Sequence, residues 1–191
     1  MTSYRDAARK LAAHRREIAK LRKKIRQVQA SAKPETVDDY EFTTARGSVR
    51  LCDLFADKDD LIVIHNMGTS CPACTMWADG FNGIYHHLAD RAAFVVSSPD
   101  PPGVQKRFAA RRGWRFPMVS HKGTTFADDM GYRSKSEGWM PGISVFRRDA
   151  EGIVRVSDAP FDAGDDFCSI WRIFDLLPGG AGEWSPKFRY A

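Results

Sequence analysis

The chain has 191 residues, of which 43% are hydrophobic and 28% charged, with 29 Lys and Arg against 24 Asp and Glu, a formal charge of +5. That is one ordinary domain, or a domain with an appendage, and it can bury a core without disulfide or metal staples. Collagen-like, low-complexity and wholly disordered chains are excluded. The longest dense apolar stretch, Leu61-Ile62-Val63-Ile64, falls far short of the roughly 20 residues needed to cross a bilayer. Met1-Thr2-Ser3-Tyr4-Arg5 lacks the pattern of a secretory signal, so the expected compartment is the cytoplasm. Four cysteines there read as thiols, metal ligands or redox centres rather than a disulfide framework.

The charge is unevenly spread. Residues 1–33 hold eleven of the Lys and Arg and only Asp6 and Glu17 as acids, giving +9, and the other 158 residues carry −4. Tyr4 to Val28 has no Gly or Pro and is rich in helix formers. Tyr4, Leu11, Ile18 and Ile25 recur every seven residues, and Ala7, Leu21 and Val28 form a second series interrupted by His14. This predicts a basic amphipathic helical arm with a heptad seam, ended by Ser31-Ala32-Lys33-Pro34. Two such arms side by side in parallel repel, so the acidic body, in cis or across a homodimer, is the better partner. A nucleic-acid or anionic-membrane arm is the less favoured reading. The expected organisation is an arm over 1–33 and one domain over 34–191.

In the body, Asp39–Thr44 and Val49–Leu51 flank Ala45-Arg46-Gly47-Ser48 as a hairpin. Leu61–Met67 is a continuous apolar run, as in a strand buried on both faces, and Gly68-Thr69-Ser70-Cys71-Pro72 is its exit turn. Ala73–Ala89 has helical spacing through Cys74, Trp77, Phe81, Ile84, Tyr85 and Leu88. Then come a strand at 92–97, a helix at 102–112, a short strand at 116–120 and an ambiguous stretch at 123–132. Pro141–Phe146 and Ile153–Val156 form a second hairpin around Asp149-Ala150-Glu151-Gly152, a helix spans 167–177, and the tail from Pro178 is extended. The order implies a three-layer α/β sandwich with a mixed sheet.

Cys71-Pro72-Ala73-Cys74 falls where the buried strand passes into a helix. The free N–H groups of the first helical turn and the helix dipole favour a thiolate on Cys71. Pro72 fits that turn because its missing N–H is not needed there. Cys71 can attack an external disulfide and Cys74, one turn on, can resolve the mixed disulfide. Zinc needs two further ligands, for which only the scattered His86, His87, Cys52 and Cys168 offer themselves, so no metal site is expected. Two inert packed cysteines are the other alternative. Cys52 and Cys168 read as buried small hydrophobes.

Trp139-Met140-Pro141-Gly142 precedes the strand Ile143–Phe146. A strand, a CxxC at a helix start and a later proline opening a strand resemble the thioredoxin superfamily. More narrowly, Cys71–Gly83, Gly113-Trp114-Arg115-Phe116-Pro117 and Pro141–Phe146 resemble a bacterial thioredoxin-like family catalogued as domain of unknown function 899 and described as dithiol–disulfide oxidoreductases. With the amino-terminal helix and Arg50–Phe55 the resemblance covers most of the chain. It implies a thioredoxin-like sandwich with a peroxiredoxin-like amino-terminal hairpin extension. It also implies a cis Met140–Pro141 bond beside the cysteines, shaping a substrate groove with Pro72 and Trp77.

Two departures bear on the chemistry. Thioredoxins have a buried acid six residues before the first cysteine, where this chain has His65, a candidate proton partner for Cys74 with a pKa nearer neutrality. Peroxiredoxins have Thr three residues before their reactive cysteine, where this chain has Gly68. The expected activity is therefore thiol–disulfide exchange on a protein or small-molecule disulfide. No bound cofactor is needed, since electrons come from a dithiol donor. A thiol peroxidase, or a non-catalytic protein that interacts through the basic helix, is the alternative.

Overall fold

The computed structural model describes residues 3–150 and 152–190 and divides into two units, residues 1–34 and 35–191. The first is one helix, α1 (Tyr4–Ser31). Ser3 caps it by accepting the Asp6 N–H and donating to the Asp6 carboxylate, so the first free N–H groups find a partner in the sequence itself. No residue of α1 is buried, and the seam residues Leu11, Ile18, Leu21, Ile25 and Val28 are all exposed. His14 is exposed and pairs with Glu17 at 3.0 Å.

The second unit is an α/β domain around an eight-stranded mixed sheet. Its strands are β1 (Glu35–Val37), β2 (Glu41–Thr44), β3 (Gly47–Arg50), β4 (Asp60–His65), β5 (Ala93–Ser98), β6 (Met118–Ser120), β9 (Gly142–Asp149) and β10 (Gly152–Pro160). A small separate hairpin pairs β7 (Arg133–Ser134) with β8 (Gly138–Trp139). The order in the large sheet is β1-β10-β9-β4-β5-β6-β2-β3. The β4–β5 and β5–β6 pairs are parallel, and the others are antiparallel. The parallel pairs require crossovers, supplied by α2 (Pro72–Arg91) and α3 (Pro102–Arg112). Gly113, at φ +68°, ends α3 in the left-handed conformation that glycine adopts without strain.

β4 is apolar throughout because both of its faces are covered. Leu61 and Val63 join Phe42, Leu51, Phe55, Phe126 and Phe146 in one core, and Ile62 and Ile64 join Trp77, Ala78, Phe81 and Phe94 in the other. Each fully buried Leu, Val or Phe contributes about 1.5–3 kcal/mol, so the central strands anchor the whole unit. The first core is roofed by short pieces: the 3-10 turn Leu51–Phe55 and α4 (Phe126–Asp129), which falls in the stretch that the sequence leaves ambiguous.

Several expectations are corrected. α5 (Ser169–Phe174) is shorter than the 167–177 span, and the residues after it form successive turns as far as 183, so the expected tail from Pro178 begins in turns and only 184–190 run without them. The Glu151 position of the last hairpin lies outside the described residues. No peptide bond among the described residues is cis, Met140–Pro141 included. Its trans form continues two ladders: Met140 N–H bonds the Tyr132 carbonyl at 2.9 Å, and the Pro141 carbonyl accepts the Phe161 N–H at 3.0 Å. The chain therefore runs extended from β8 into β9.

Candidate active site

The two cysteines sit where β4 gives way to α2. Cys71 is the N-cap of α2, with Pro72 in the first turn, and its sulfur accepts the Cys74 backbone N–H at 3.1 Å. It thus does the work of an N-cap oxygen and gains from an anionic state. Cys71 is half-buried and Cys74 is buried. The Cys74 thiol donating to it does most to bring Cys71 down, to a pKa of about 6, and the Cys74 and Ala73 backbone N–H groups act in the same sense against burial. The Cys74 thiol is driven the other way, above the ordinary thiol range, by that same bond, by burial and by the Cys71 charge. Its sulfur also accepts the Met67 N–H at 3.4 Å. One sulfur is held as a thiolate and its neighbour as a thiol.

The turn is braced by residues the sequence did not single out. The Asn66 side chain accepts the Gly68 N–H at 2.8 Å and donates to the Cys74 carbonyl at 3.4 Å, tying the turn to the helix. Asp100 accepts the Thr69 N–H at 2.7 Å. Gly68 has φ +104°, and a Cβ there would lie 2.9 Å from the Asp100 carboxylate. Only glycine satisfies both the conformation and the approach.

The remaining expected site residues are placed as follows. β9 pairs antiparallel with β4, with Gly142 opposite His65, which sets Pro141 at the end of the sheet where β4 runs into the CxxC turn. Met140 packs on the first core. Trp77 is buried against Phe161, at 5.3 Å between rings, and its Nε1 donates to Asp165 at 3.0 Å. Asp79, farther along α2 and not among the expected site residues, is ion-paired with Arg112 and accepts the Trp114 Nε1 proton at 2.8 Å.

His65 is oriented otherwise than the sequence suggests. Its side chain lies with Leu61 and Val63 on the core facing away from α2, stacked on Tyr132 at 3.8 Å and Phe126 at 5.3 Å. Nε2 bonds Ser144 Oγ at 2.9 Å and Nδ1 has no partner. Burial, with smaller effects from His121 and Arg155, pushes its pKa well below the ordinary value, the reverse of an imidazole poised near neutrality. It is a buried neutral group bonded to Ser144 rather than a base at the Cys74 sulfur.

His121, also buried, bonds Ser97 Oγ at 2.8 Å, and burial lowers its pKa to about 4. Both histidines fold as neutral imidazoles, whereas the unfolded chain takes up protons below its ordinary histidine pKa near 6.5. The His121 contribution is therefore complete above that pH and is lost as the pH falls toward 4, and the His65 contribution runs in the same direction. His121 alone costs about 2 kcal/mol at pH 5, before the carboxylates held low by ion pairs, such as Asp60 between Arg147 and Arg91, begin to protonate. Urea midpoints that stay flat from pH 8 to pH 5 would contradict this placement.

Among the described residues no three His, Cys, Asp or Glu side chains gather as a metal site, and no helix is long and apolar enough to cross a membrane. Residues 1–190 match the family described as "Bacterial protein of unknown function (DUF899)". The chain belongs to this family. None of the curated proteins matches this DUF899 chain. Solved structures that resemble it include the peroxidoxin BcpB of Mycobacterium tuberculosis, with TM-score 0.55, 26% identity, 66% of this chain and 84% of that one covered. A peroxiredoxin Q mutant of Xylella fastidiosa gives 0.58 at 14% identity, covering 68% and 85%. A reduced peroxiredoxin of Vibrio vulnificus, solved in complex with hydrogen peroxide, gives 0.55 at 14%, covering 69% and 88%. The DUF899 domain thus has the thioredoxin-like fold of the peroxiredoxins.

Proposed function

We propose that the protein is a dithiol–disulfide oxidoreductase in which Cys71 attacks and Cys74 resolves. The observation that carries this reading is the asymmetry of the pair. The Cys71 sulfur caps α2 as a half-exposed thiolate, while Cys74 is buried and protonated beside it. Exchange needs that division, because the attacking sulfur must be ionised and reachable and the resolving sulfur must wait until the mixed disulfide forms. As Cys71 enters the mixed disulfide its charge disappears, and with it the electrostatic penalty on ionising Cys74.

The test is thiol counting by mass after alkylation. Oxidation with a small disulfide is expected to remove two alkylatable thiols, mapped to a Cys71–Cys74 peptide, and dithiothreitol to restore them. Cys52 and Cys168 stay labelled after unfolding. A protein that never forms this reversible bond is not an oxidoreductase of this kind.

The resemblance to peroxiredoxins supports thiol peroxidase activity as a second reading. There Cys71 would attack the O–O bond, giving a sulfenic acid and an alcohol or water, and Cys74 would condense with it to a disulfide and water. Hydrogen peroxide consumed stoichiometrically with the dithiol, faster than any disulfide reacts, would move the assignment to this reading.

A further inference from the structure

The C-terminal end of α3 and the chain terminus meet beside the CxxC turn. Arg112 donates to the Phe188 carbonyl at 3.0 Å, and the Phe108 and Phe188 rings pack edge to face at 6.3 Å. With Thr69, Arg111 and Arg189 they enclose a cleft of about 560 Å³. That volume suits a small organic molecule and not a folded partner. Thr69 is two residues ahead of Cys71, so the cleft wall begins within about 7 Å of the nucleophile along the chain.

The chemistry of the wall is specific. Arg112 is committed to Asp79, but the Arg111 and Arg189 side chains make no hydrogen bond or ion pair among the described residues. Three guanidinium groups and no carboxylate line the cleft, with Asp79 bound to Arg112 and Asp100 to the Thr69 N–H, which leaves it positive on a body of net charge −4. Phe108 and Phe188 supply an apolar floor between the cationic groups. Guanidinium forks recognise carboxylates by paired hydrogen bonds, and an aromatic floor takes the organic part of a ligand.

We propose that this cleft holds the carboxylate end of a small organic disulfide and presents its sulfur–sulfur bond to Cys71. The proposal rests on the dithiol–disulfide reading and names its substrate class. The Cys71 thiolate attacks one sulfur of RSSR; the S–S bond breaks, a Cys71–SR bond forms, and RS⁻ leaves and takes a proton from water. Cys74 then loses its proton and attacks the Cys71 sulfur. This forms the Cys71–Cys74 bond and releases the second RS⁻, so two electrons have passed from the protein to the disulfide.

The test is a charge series on the full chain. Oxidised glutathione (net negative), 2-hydroxyethyl disulfide (neutral) and cystamine (positive) are compared as oxidants of the Cys71–Cys74 pair. Each rate is divided by that disulfide's rate with free dithiothreitol. Oxidised glutathione is expected to exceed 2-hydroxyethyl disulfide by about tenfold at low salt, with cystamine slowest, and the preference should shrink as salt rises. In Arg111→Ala/Arg189→Ala the glutathione-to-hydroxyethyl ratio should fall to near one, while Lys135→Ala, on the β7–β8 turn, leaves it as in the parent. A ratio near one in the parent, or a double variant that retains the preference, overturns the cleft assignment with the oxidoreductase reading intact. Failure of all three disulfides to oxidise the pair overturns both.

Discussion

Cys71→Ser should abolish disulfide exchange, a loss of at least about a thousandfold, whereas Cys74→Ser should halt the cycle at a covalent adduct on Cys71. The asymmetry follows from the geometry: one sulfur caps the helix at the surface and the other is buried behind it. Magnitudes refine what the low pKa accomplishes. At pH 7 a thiol of pKa about 6 is about nine-tenths ionised, against about one hundredth for an ordinary thiol near 9.0, a gain of about 90-fold. Intrinsic nucleophilicity falls with pKa, at a slope of about 0.5, and returns about 30-fold of that. The net advantage in attack is therefore only a few-fold. The larger benefit goes to the return half of the cycle, where a donor thiol opens the Cys71–Cys74 bond at Cys71 and a second donor thiol then attacks the donor sulfur, so that Cys71, a sulfur of low pKa, departs readily as the thiolate. Alkylation of Cys71 should accordingly reach half its plateau near pH 6 and flatten above pH 7. A midpoint near 9, or an adduct accumulating on Cys74 in Cys71→Ser, would show that the roles are wrongly assigned.

The parts legible in the sequence are those set by local pattern. Leu61–Ile64 reads as doubly covered because no alternate residue is polar, and Cys71-Pro72 reads as a helix start because an N-terminal turn wants that proline and that sulfur. The parts that were not legible depend on which distant segments meet. Spacing puts His65 six residues before Cys71, but strand alternation turns it to the opposite core, where Tyr132 and Phe126 take it up. The trans Met140–Pro141 bond depends on Tyr132 and Phe161 continuing ladders on either side of it. The cationic cleft joins residues 69, 108–112 and 188–189, and no periodicity connects them. Arg111 and Arg112 are visible as a basic pair, but their division into one committed and one uncommitted guanidinium depends on Asp79, 33 residues from Arg112.

Gly142→Ala should be among the most destabilising single-methyl changes in the body. Its φ is not the reason; the space is. A Cβ there would stand 2.0 Å from Cε1 of Tyr132, 2.6 Å from its Cζ and 2.8 Å from the Ala159 carbonyl oxygen. The backbone oxygen belongs to the β9–β10 ladder and cannot move without breaking register. The ring is hardly freer, since its hydroxyl lies 3.0 Å from both the Ile143 and Ala159 carbonyls and its face stacks on His65. Overpacking of this kind costs about 1–3 kcal/mol, and displacing the hydroxyl adds about 1 kcal/mol, so a loss of about 3 kcal/mol is expected. For a domain of this size that lowers Tm by about 6–12 °C. The clash is specific to the ring, which gives the prediction an internal control. In a Tyr132→Leu background Gly142→Ala should cost about 1 kcal/mol, because only the Ala159 oxygen remains in the way, for a coupling of about 2 kcal/mol. Equal costs in the two backgrounds would mean that Tyr132 yields freely. In that case the packing of Tyr132 on His65 does not fix the strand end beside Pro141, and the position of the CxxC turn must be held by Asn66 and Asp100 alone.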